Sequence, residues 1–420
     1  MIPASINKGA RLIVLLALLA SILSFAKFQH CRSAGWGSPD VYIRMCYSDL
    51  SALYGAREVS VDRWPYESAE NSVEYPVITG LVMWATGQII GDENGYRAYF
   101  DLNAALLALL FIFSAWLLWR IKPEFAPLLA FSPAVIGSLY INWDLWAVAA
   151  ALIAIYLFKN ENFDLSALAL GVAIATKFFP VVLLLPAILY FKSDITKTIR
   201  YIAFTSLTWV AINLPIALTN FDGWARFYKM NLDRSSDLGS IWYALELRDI
   251  TFGNSTLLSI ALVLLATLAI ANIANQSKVA RFETFAITSF LTVAAFVTIS
   301  KVYSPQYVIW LTPLALIALR RREERSAFWI WQGGEALYHL AIWQYLASYT
   351  GAKFGLPEGL YALSIFIRVA TLAWFARSLI HSTRSTDFSM SEGRDTLSAL
   401  HQKARPFLMN RSNPPVAEMP

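Results

Sequence analysis

The sequence predicts an all-α, polytopic membrane protein with about 12 transmembrane helices (range about 11–13). Hydrophobic residues make up 57% and charged residues 15% of its 420 residues, a balance too apolar for a soluble globular domain. Apolar runs recur along the chain, and many of the short loops between them carry lysine or arginine. The net charge of +5 therefore reflects the positive-inside bias of cytoplasmic loops and does not indicate nucleic-acid binding.

The first apolar run, 12–28, follows Lys8 and Arg11 and superficially resembles a signal peptide. No small-residue cleavage site comes after it, because the chain continues as Gln29-His30-Cys31-Arg32. We therefore expect an uncleaved first helix.

Further apolar runs predict the remaining helices. The runs cover 12–28, 76–91, 99–119, 125–141, 143–158, 164–177, 179–191, 200–218, 256–274, 283–300, 305–319, 327–349 and 359–381. If 76–91 is an interfacial or re-entrant helix on the outer side and the other runs cross fully or partly, every basic cluster falls on the cytoplasmic face. Both termini are then cytoplasmic, and polar loops collect outside.

We expect one transmembrane domain, 1–382, with two large outer segments. The first outer loop, 29–98, contains the longest polar insertion and is expected to hold interfacial or re-entrant helices; the second outer loop covers 219–255. The polar tail 383–420 predicts a disordered cytoplasmic segment.

Two neighbouring apolar stretches are each interrupted by polar residues. Basic residues flank both stretches at both ends, which favours a hairpin over a single long helix. The stretch 125–158 is interrupted at Asn142-Trp143-Asp144, and the stretch 165–191 at Thr176-Lys177. Each arm of the second hairpin has about 13 residues, or roughly 20 Å of helix, short of the roughly 30 Å hydrocarbon core. Its tip is therefore expected within the thickness of the membrane, in a cavity that opens outward.

Lys177 and Lys301 are candidate anion-binding residues. A charged side chain inside the membrane costs about 2.5–3.5 kcal/mol on insertion scales, so a function is the first hypothesis for it. Lys177 either snorkels to the headgroups or pairs with an acid, or it clamps an anionic headgroup. Lys301 is a cation of the same type at the outer end of run 283–300, and Gln306 follows it in the same segment.

Asp49 is a candidate general base, since a carboxylate in the first outer loop can take a proton from an acceptor hydroxyl. The segment from Asp49 to Tyr54 has the apolar spacing of a short amphipathic helix on the membrane. The alternative is a solvated residue or a helix cap, which is the commoner role of an exposed loop aspartate. Glu74, which precedes Tyr75, and Asp144 compete for the same catalytic role.

Cys31 and Cys46 are the only cysteines, and both lie in the first outer loop. In an oxidising compartment they would close a loop of about 15 residues, which stabilises a fold by roughly 3 kcal/mol. No cluster with metal-ligand spacing and no nucleotide fingerprint is present, so we expect neither a metal nor another cofactor.

Five spaced motifs stand out along the chain: Cys46-Tyr47-Ser48-Asp49-Leu50-Ser51-Ala52-Leu53-Tyr54, Glu74-Tyr75-Pro76-Val77, Asn142-Trp143-Asp144, Ala175-Thr176-Lys177-Phe178-Phe179-Pro180 and Lys301-Val302-Tyr303-Ser304-Pro305-Gln306-Tyr307. These motifs resemble those of glycosyltransferase family 87, and the resemblance covers roughly residues 12 to 350. The family consists of bacterial integral-membrane enzymes with the C-type glycosyltransferase (GT-C) fold, many of them mycobacterial or corynebacterial. The resemblance implies a GT-C-like domain with a large first outer loop.

The resemblance also implies a function. Family members look like inverting mannosyltransferases that take mannose from polyprenyl-phosphate-mannose on the outer face of the plasma membrane and pass it to a cell-envelope glycolipid or glycan. Carried over by motif, Asp49 is the base, and Lys177 and Lys301 bind the donor phosphate. The residues assigned to the sugar or acceptor are Glu74, Tyr75, Asn142, Asp144 and Gln306. The first outer loop contains no Asp-x-Asp or Glu-x-Asp, which argues against a bound divalent ion.

The alternative function is a flippase or other transporter of lipid-linked sugars, which also uses intramembrane lysines and broken helices. A transporter is expected to have polar residues that continue toward the cytoplasmic side, or repeat symmetry between its halves. Here the polar residues collect on the predicted outer half, which favours the transferase.

Overall fold

The computed structural model describes residues 4–59 and 63–384, and for residues 4–7 and 92–94 it describes the backbone alone. Helices and no strands occur within the described residues, so the predicted all-α class is confirmed. The predicted disordered tail lies outside these residues from position 385 onward.

The α-helices follow the predicted apolar runs, and further short helices lie in the two outer segments. In chain order they are α1 (Ala4–Lys27), α2 (Gln29–Ala34), α3 (Asp40–Ile43), α4 (Asp49–Ala56), α5 (Val77–Ile121), α6 (Pro127–Phe131), α7 (Pro133–Ser138), α8 (Asp144–Lys159), α9 (Phe163–Thr176), α10 (Leu184–Tyr190), α11 (Ile195–Thr219), α12 (Phe221–Asp233), α13 (Ile241–Glu246), α14 (Ser255–Gln276), α15 (Arg281–Ile299), α16 (Val308–Ala318), α17 (Glu324–Tyr349) and α18 (Glu358–Thr383). The 3₁₀ turns Phe179–Leu183 and Pro305–Tyr307 precede α10 and α16.

Several of these helices are long and apolar enough to cross a membrane, which indicates a membrane-embedded protein. In the described part of the chain there are six of them: Lys8–Lys27, Gly95–Ile121, Ile195–Thr219, Ser255–Gln276, Arg281–Ile299 and Glu358–Thr383. The predicted number of about 12 crossings is not reached by this measure, because other apolar helices are short. Helix α9 has 14 residues, and a helix of that length extends about 21 Å, less than the hydrocarbon core of roughly 30 Å.

Helix α14 shows why a membrane is the natural surrounding of this fold. Only 6% of its apolar window is buried within the protein. Leu264, Leu265 and Leu268 are each more than half exposed. In water, a continuous apolar surface of this kind is unfavourable, whereas lipid chains cover it without cost.

The short helices form much of the interior. Every residue of α16 is buried, and α8 packs against both α5 and α9. The polar residues where α8 begins and α9 ends therefore lie between packed helices, where their partners are fixed.

The predicted interruptions of the apolar stretches are confirmed as helix ends. Helix α9 stops before Lys177, whose backbone is extended (φ −148°, ψ 136°), and Pro180 three residues later cannot continue an α-helix. Helix α8 begins at Asp144, directly after a turn. Helix α5 breaks between the predicted runs at Gly91 and Gly95. Their φ values are 65° and 58°, and glycine adopts positive φ values without steric cost.

Candidate active site

The start of α4 is tied to the turn that precedes α8. The Ser48 hydroxyl accepts a hydrogen bond from the Leu50 N–H (3.2 Å) and donates one to the Tyr140 carbonyl (2.6 Å). The Asp49 N–H donates to the Ile141 carbonyl at 2.7 Å. Ser48 thus acts as the N-cap of α4, and the same contacts fix the backbone of Asp49. Helix α4 packs against α5 and buries Leu50, Ser51 and Tyr54.

The Asp49 carboxylate accepts a hydrogen bond on each oxygen. The Tyr47 hydroxyl donates to Oδ1 at 2.8 Å, and the Asn142 amide donates to Oδ2 at 2.6 Å. The residue keeps part of its surface exposed, although protein atoms crowd the carboxylate. Burial raises the pKa of Asp49, while the hydrogen bonds from Asn142 and Tyr47 and the charge of Lys177 oppose the rise. The charge of Asp49 in turn raises the pKa of Tyr47, which therefore stays a protonated donor.

Asn142 connects Asp49 to Lys177. Its Nδ2 also donates to the Tyr75 hydroxyl at 2.7 Å, and its Oδ1 accepts from the Lys177 ammonium at 3.2 Å. These contacts fix the orientation of the Asn142 amide. Its NH₂ group faces the oxygens of Asp49 and Tyr75, and its carbonyl faces the Lys177 ammonium.

Lys177 is paired with Asp144, the first residue of α8. The Lys177 Nζ lies 2.5 Å from Asp144 Oδ1, and the two side chains are 13% and 0% exposed. The contact is a charge pair without the directionality of a hydrogen bond, since neither Asp144 oxygen has a hydrogen-bond donor among the described residues. The sequence left open whether Lys177 pairs with an acid; the structure contains that pair.

Aromatic rings surround the ammonium. Nζ lies 4.8 Å from the centre of the Tyr75 ring and 6.0 Å from that of Trp310, distances at which a ring face attracts a cation. Trp310 stacks on Tyr307 at 3.7 Å and on Phe179 at 4.0 Å. The ring contacts connect Lys177 to the start of α16.

A second set of rings lies beside Asp49. Tyr42 stacks on Tyr47 at 5.6 Å, and Trp343 of α17 lies 5.6 Å from Tyr47 and 6.3 Å from Tyr42. Trp343 is buried, whereas the two tyrosines remain partly exposed. The aromatic surface of Tyr42 and Tyr47 is thus continuous with the carboxylate through the Tyr47 hydroxyl.

Lys301 lies apart from this cluster. Its Nζ donates to the Thr256 hydroxyl of α14 at 2.7 Å, and its carbonyl accepts from the Asp237 N–H. No contact joins it to Lys177 or Asp49 within the described residues. The predicted convergence of the two lysines is therefore not observed, because the Lys301 side chain is directed toward α14. Gln306 is buried in the turn Pro305–Tyr307.

Glu74 is held by two arginines. Arg57 contacts its carboxylate, and the Arg226 guanidinium of α12 lies 3.1 Å from it. The adjacent Tyr75 contributes its hydroxyl to Asn142. Glu74 is thus a link between the outer segments, and its positive partners suit it poorly to proton abstraction.

The two cysteines of the first outer loop are joined. A disulfide connects Cys31 and Cys46, and both are buried. It ties α2 to the segment that leads into Tyr47 and Asp49.

Five aromatic contributors to this arrangement were not among the predicted site residues. They are Tyr42, Tyr47, Tyr307, Trp310 and Trp343. Tyr47 and Tyr307 lie within quoted motifs, and that position was the available signal for them. The ring contacts of the other three depend on helix packing. No group of three or more histidine, cysteine, aspartate or glutamate side chains suited to a metal occurs in the described part of the chain.

Comparison with known proteins gives no assignment. No family model matches the sequence, and no curated protein is similar to it.

Proposed function

We propose that the protein is a membrane glycosyltransferase, an inverting mannosyltransferase that moves mannose from a polyprenyl-phosphate donor to a cell-envelope glycolipid or glycan on the outer face of the plasma membrane. The observation that supports this most is the chain of contacts Asp49–Asn142–Lys177. The Asn142 amide contacts the Asp49 carboxylate, whose pKa is raised, with its NH₂ group and the Lys177 ammonium with its oxygen.

Asp49 acts as the general base. The acceptor hydroxyl binds at the carboxylate and passes its proton to it, while the hydroxyl oxygen attacks the anomeric carbon of mannose. The attack comes from the face opposite the phosphate, so the configuration inverts. A raised pKa suits this task, because it makes the carboxylate a stronger proton acceptor than an ordinary aspartate.

Lys177 stabilises the leaving group. As the bond between the anomeric carbon and the phosphate oxygen breaks, its electron pair stays on the phosphate, and a fixed ammonium offsets the new charge. An ammonium has three N–H donors. Nζ donates one hydrogen bond to Asn142 and is held by the charge of Asp144, so N–H donors remain for the donor phosphate. Asp144 thereby holds Lys177 in place.

The partly exposed rings of Tyr42 and Tyr47 are suited to the acceptor. Sugars have apolar faces formed by their C–H groups, and aromatic rings cover such faces. Because the Tyr47 hydroxyl also binds Asp49, a sugar on these rings lies next to the base.

The direct test is transfer by the purified protein in lipid nanodiscs. With polyprenyl-phosphate-[³H]mannose and an envelope glycolipid extract, we expect tritium to appear in a larger glycolipid, with polyprenyl phosphate as the second product. Polyprenyl-phosphate-glucose serves as the matched donor control. Absence of labelled product with every glycolipid fraction tested, in a sample shown to be folded, contradicts the proposal.

The pH dependence of transfer follows from the raised pKa of Asp49. The base works only when deprotonated, so kcat/KM falls as the pH is lowered through the pKa of Asp49. Because burial raises this pKa, we expect the acidic limb to lie above the ordinary aspartate value of 3.8. Asn142→Leu and Tyr47→Phe each remove a hydrogen bond that lowers the pKa, and each is expected to move the limb to higher pH.

Tyr42→Phe is the control for this profile, because Tyr42 contacts Tyr47 by stacking and makes no hydrogen bond to Asp49. The acidic limb of its kcat/KM profile is expected at the wild-type pH. A limb that does not move in either Asn142→Leu or Tyr47→Phe assigns the titration to another group.

A further inference from the structure

A second buried ionic cluster joins α17 to α18, away from Asp49 and Lys177. Arg368 Nε lies 2.8 Å from Glu335 Oε2, and the two side chains are 0% and 1% exposed. A buried ion pair of this kind is often no more stabilising than apolar residues of similar volume. What distinguishes this pair is therefore the set of groups that it holds.

Both charged groups hold the same residue, Tyr303. Arg368 donates from Nη1 to the Tyr303 carbonyl (2.7 Å) and from Nη2 to the Ser304 carbonyl (3.1 Å). The guanidinium also lies over the Tyr303 ring at 3.3 Å. Glu335 accepts from the Tyr303 hydroxyl at 2.8 Å and from Trp331 at 3.1 Å.

The segment that these residues hold, 300–304, connects α15 to the turn Pro305–Tyr307 and has few helical hydrogen bonds of its own. The second outer loop holds its other end. The Trp242 indole donates to the Ile299 carbonyl at 2.8 Å, and the Asp237 N–H donates to the Lys301 carbonyl at 2.8 Å. The segment is thus fixed through its carbonyl groups from two sides.

The fixed segment leads directly to the wall around Lys177. Tyr307 follows it by three residues and stacks on Trp310 at 3.7 Å. The Trp310 ring lies 6.0 Å from Lys177 Nζ. A shift of the segment would therefore move the rings that flank the ammonium.

We propose that Arg368 is a positioning residue for the anion site at Lys177: by holding the carbonyls of Tyr303 and Ser304, it fixes the Tyr307–Trp310 wall against which the donor phosphate binds. This inference rests on the proposed function, since it assigns the site to a polyprenyl phosphate. Arg368 itself does not touch the reacting atoms, and it acts through the backbone of the segment.

The test uses a double variant that leaves no unpaired charge. Glu335→Gln/Arg368→Met removes both charges and the bonds to the two carbonyls. Its matched control is Glu283→Gln/Arg320→Met. That pair has the same chemistry elsewhere in the fold, because Arg320 lies 2.7 Å from Glu283 and also donates to a carbonyl, that of Ser382, at 2.6 Å.

Two measurements are made in nanodiscs: hydrogen exchange of the peptide 300–308, and the affinity for tritiated decaprenyl phosphate. For Glu335→Gln/Arg368→Met we expect faster exchange in this peptide and about ten-fold weaker lipid binding or more. For the control variant Glu283→Gln/Arg320→Met we expect the wild-type exchange rate and the wild-type lipid affinity. Wild-type affinity in the test variant, unchanged exchange, or an equal loss of affinity in the control overturns the inference.

Arg368→Lys covers the case in which the double variant does not fold. It keeps the charge opposite Glu335, and a lysine cannot reach both carbonyls with the planar fork of a guanidinium. A loss of affinity with a wild-type melting temperature supports positioning, and wild-type affinity overturns it. A wild-type protein that binds decaprenyl phosphate without transferring mannose rejects the proposed function alone, whereas one that does not bind the lipid overturns the inference as well.

Discussion

Asp49→Asn is expected to lower the rate of mannosyl transfer by about 10²- to 10⁴-fold, the range that a positioned general base contributes. The amide has the size of the carboxylate but cannot take a proton from the acceptor hydroxyl. It also replaces one of the two oxygens that accept from Tyr47 and Asn142 with an NH₂ group. The measurement is the initial rate with saturating polyprenyl-phosphate-mannose.

A binding assay separates the loss of a base from the loss of the site. Because Lys177 and Asp144 are unchanged, Asp49→Asn is expected to bind decaprenyl phosphate. Asp222→Asn is the matched control, since Asp222 is an exposed acid of α12 that pairs with Lys229 at 2.7 Å. A wild-type transfer rate in Asp49→Asn contradicts the assignment of the base, and Asp144 is then the remaining predicted candidate, because two arginines hold Glu74.

The helix ends that build the site could be predicted from the sequence. Polar residues inside apolar runs marked the ends at Asp144 and Lys177, and the structure confirms both. The number of crossings could not be predicted from apolarity alone. Helices such as α9 and α16 are as apolar as membrane spans but have only 14 and 11 residues, and packing decides how far each extends.

The contacts within the site were less predictable than its members. The sequence named Asp49, Asn142 and Lys177, but the role of Asn142 as the link depends on how the start of α4 meets the turn before α8. Lys301 was grouped with Lys177 by residue type, whereas its side chain contacts Thr256. Residue type indicates that a cation is present, and only helix orientation decides which cavity it faces.

Charged residues inside apolar runs indicate more functional candidates than Lys177 alone. A charge inside an apolar run singled out Lys177, and the same rule applies to Glu335 in run 327–349 and to Arg368 in run 359–381. Their pairing across α17 and α18 offsets the cost that an isolated charge has inside an apolar run.

Lys177→Met is expected to affect both stability and transfer. The Asp144 carboxylate, 0% exposed, loses its counter-charge, and breaking a buried pair in this way destabilises a protein by about 3–5 kcal/mol. Transfer is expected to fall by about 10²- to 10³-fold, as when one donor to a developing anion is removed. Melting temperature and transfer rate in nanodiscs measure the two effects.

The double variant Lys177→Met/Asp144→Asn separates the two effects. It removes the unpaired charge, so the melting temperature is expected to return toward the wild-type value, because neutral replacement of a buried pair is often tolerated. The transfer rate is expected to stay low, since no ammonium faces the leaving phosphate. Lys229→Met/Asp222→Asn, at an exposed pair worth about 1 kcal/mol or less, is expected to leave the rate unchanged. If the Lys177 and Asp144 double variant recovers the rate together with the stability, the pair is structural and the phosphate is bound elsewhere.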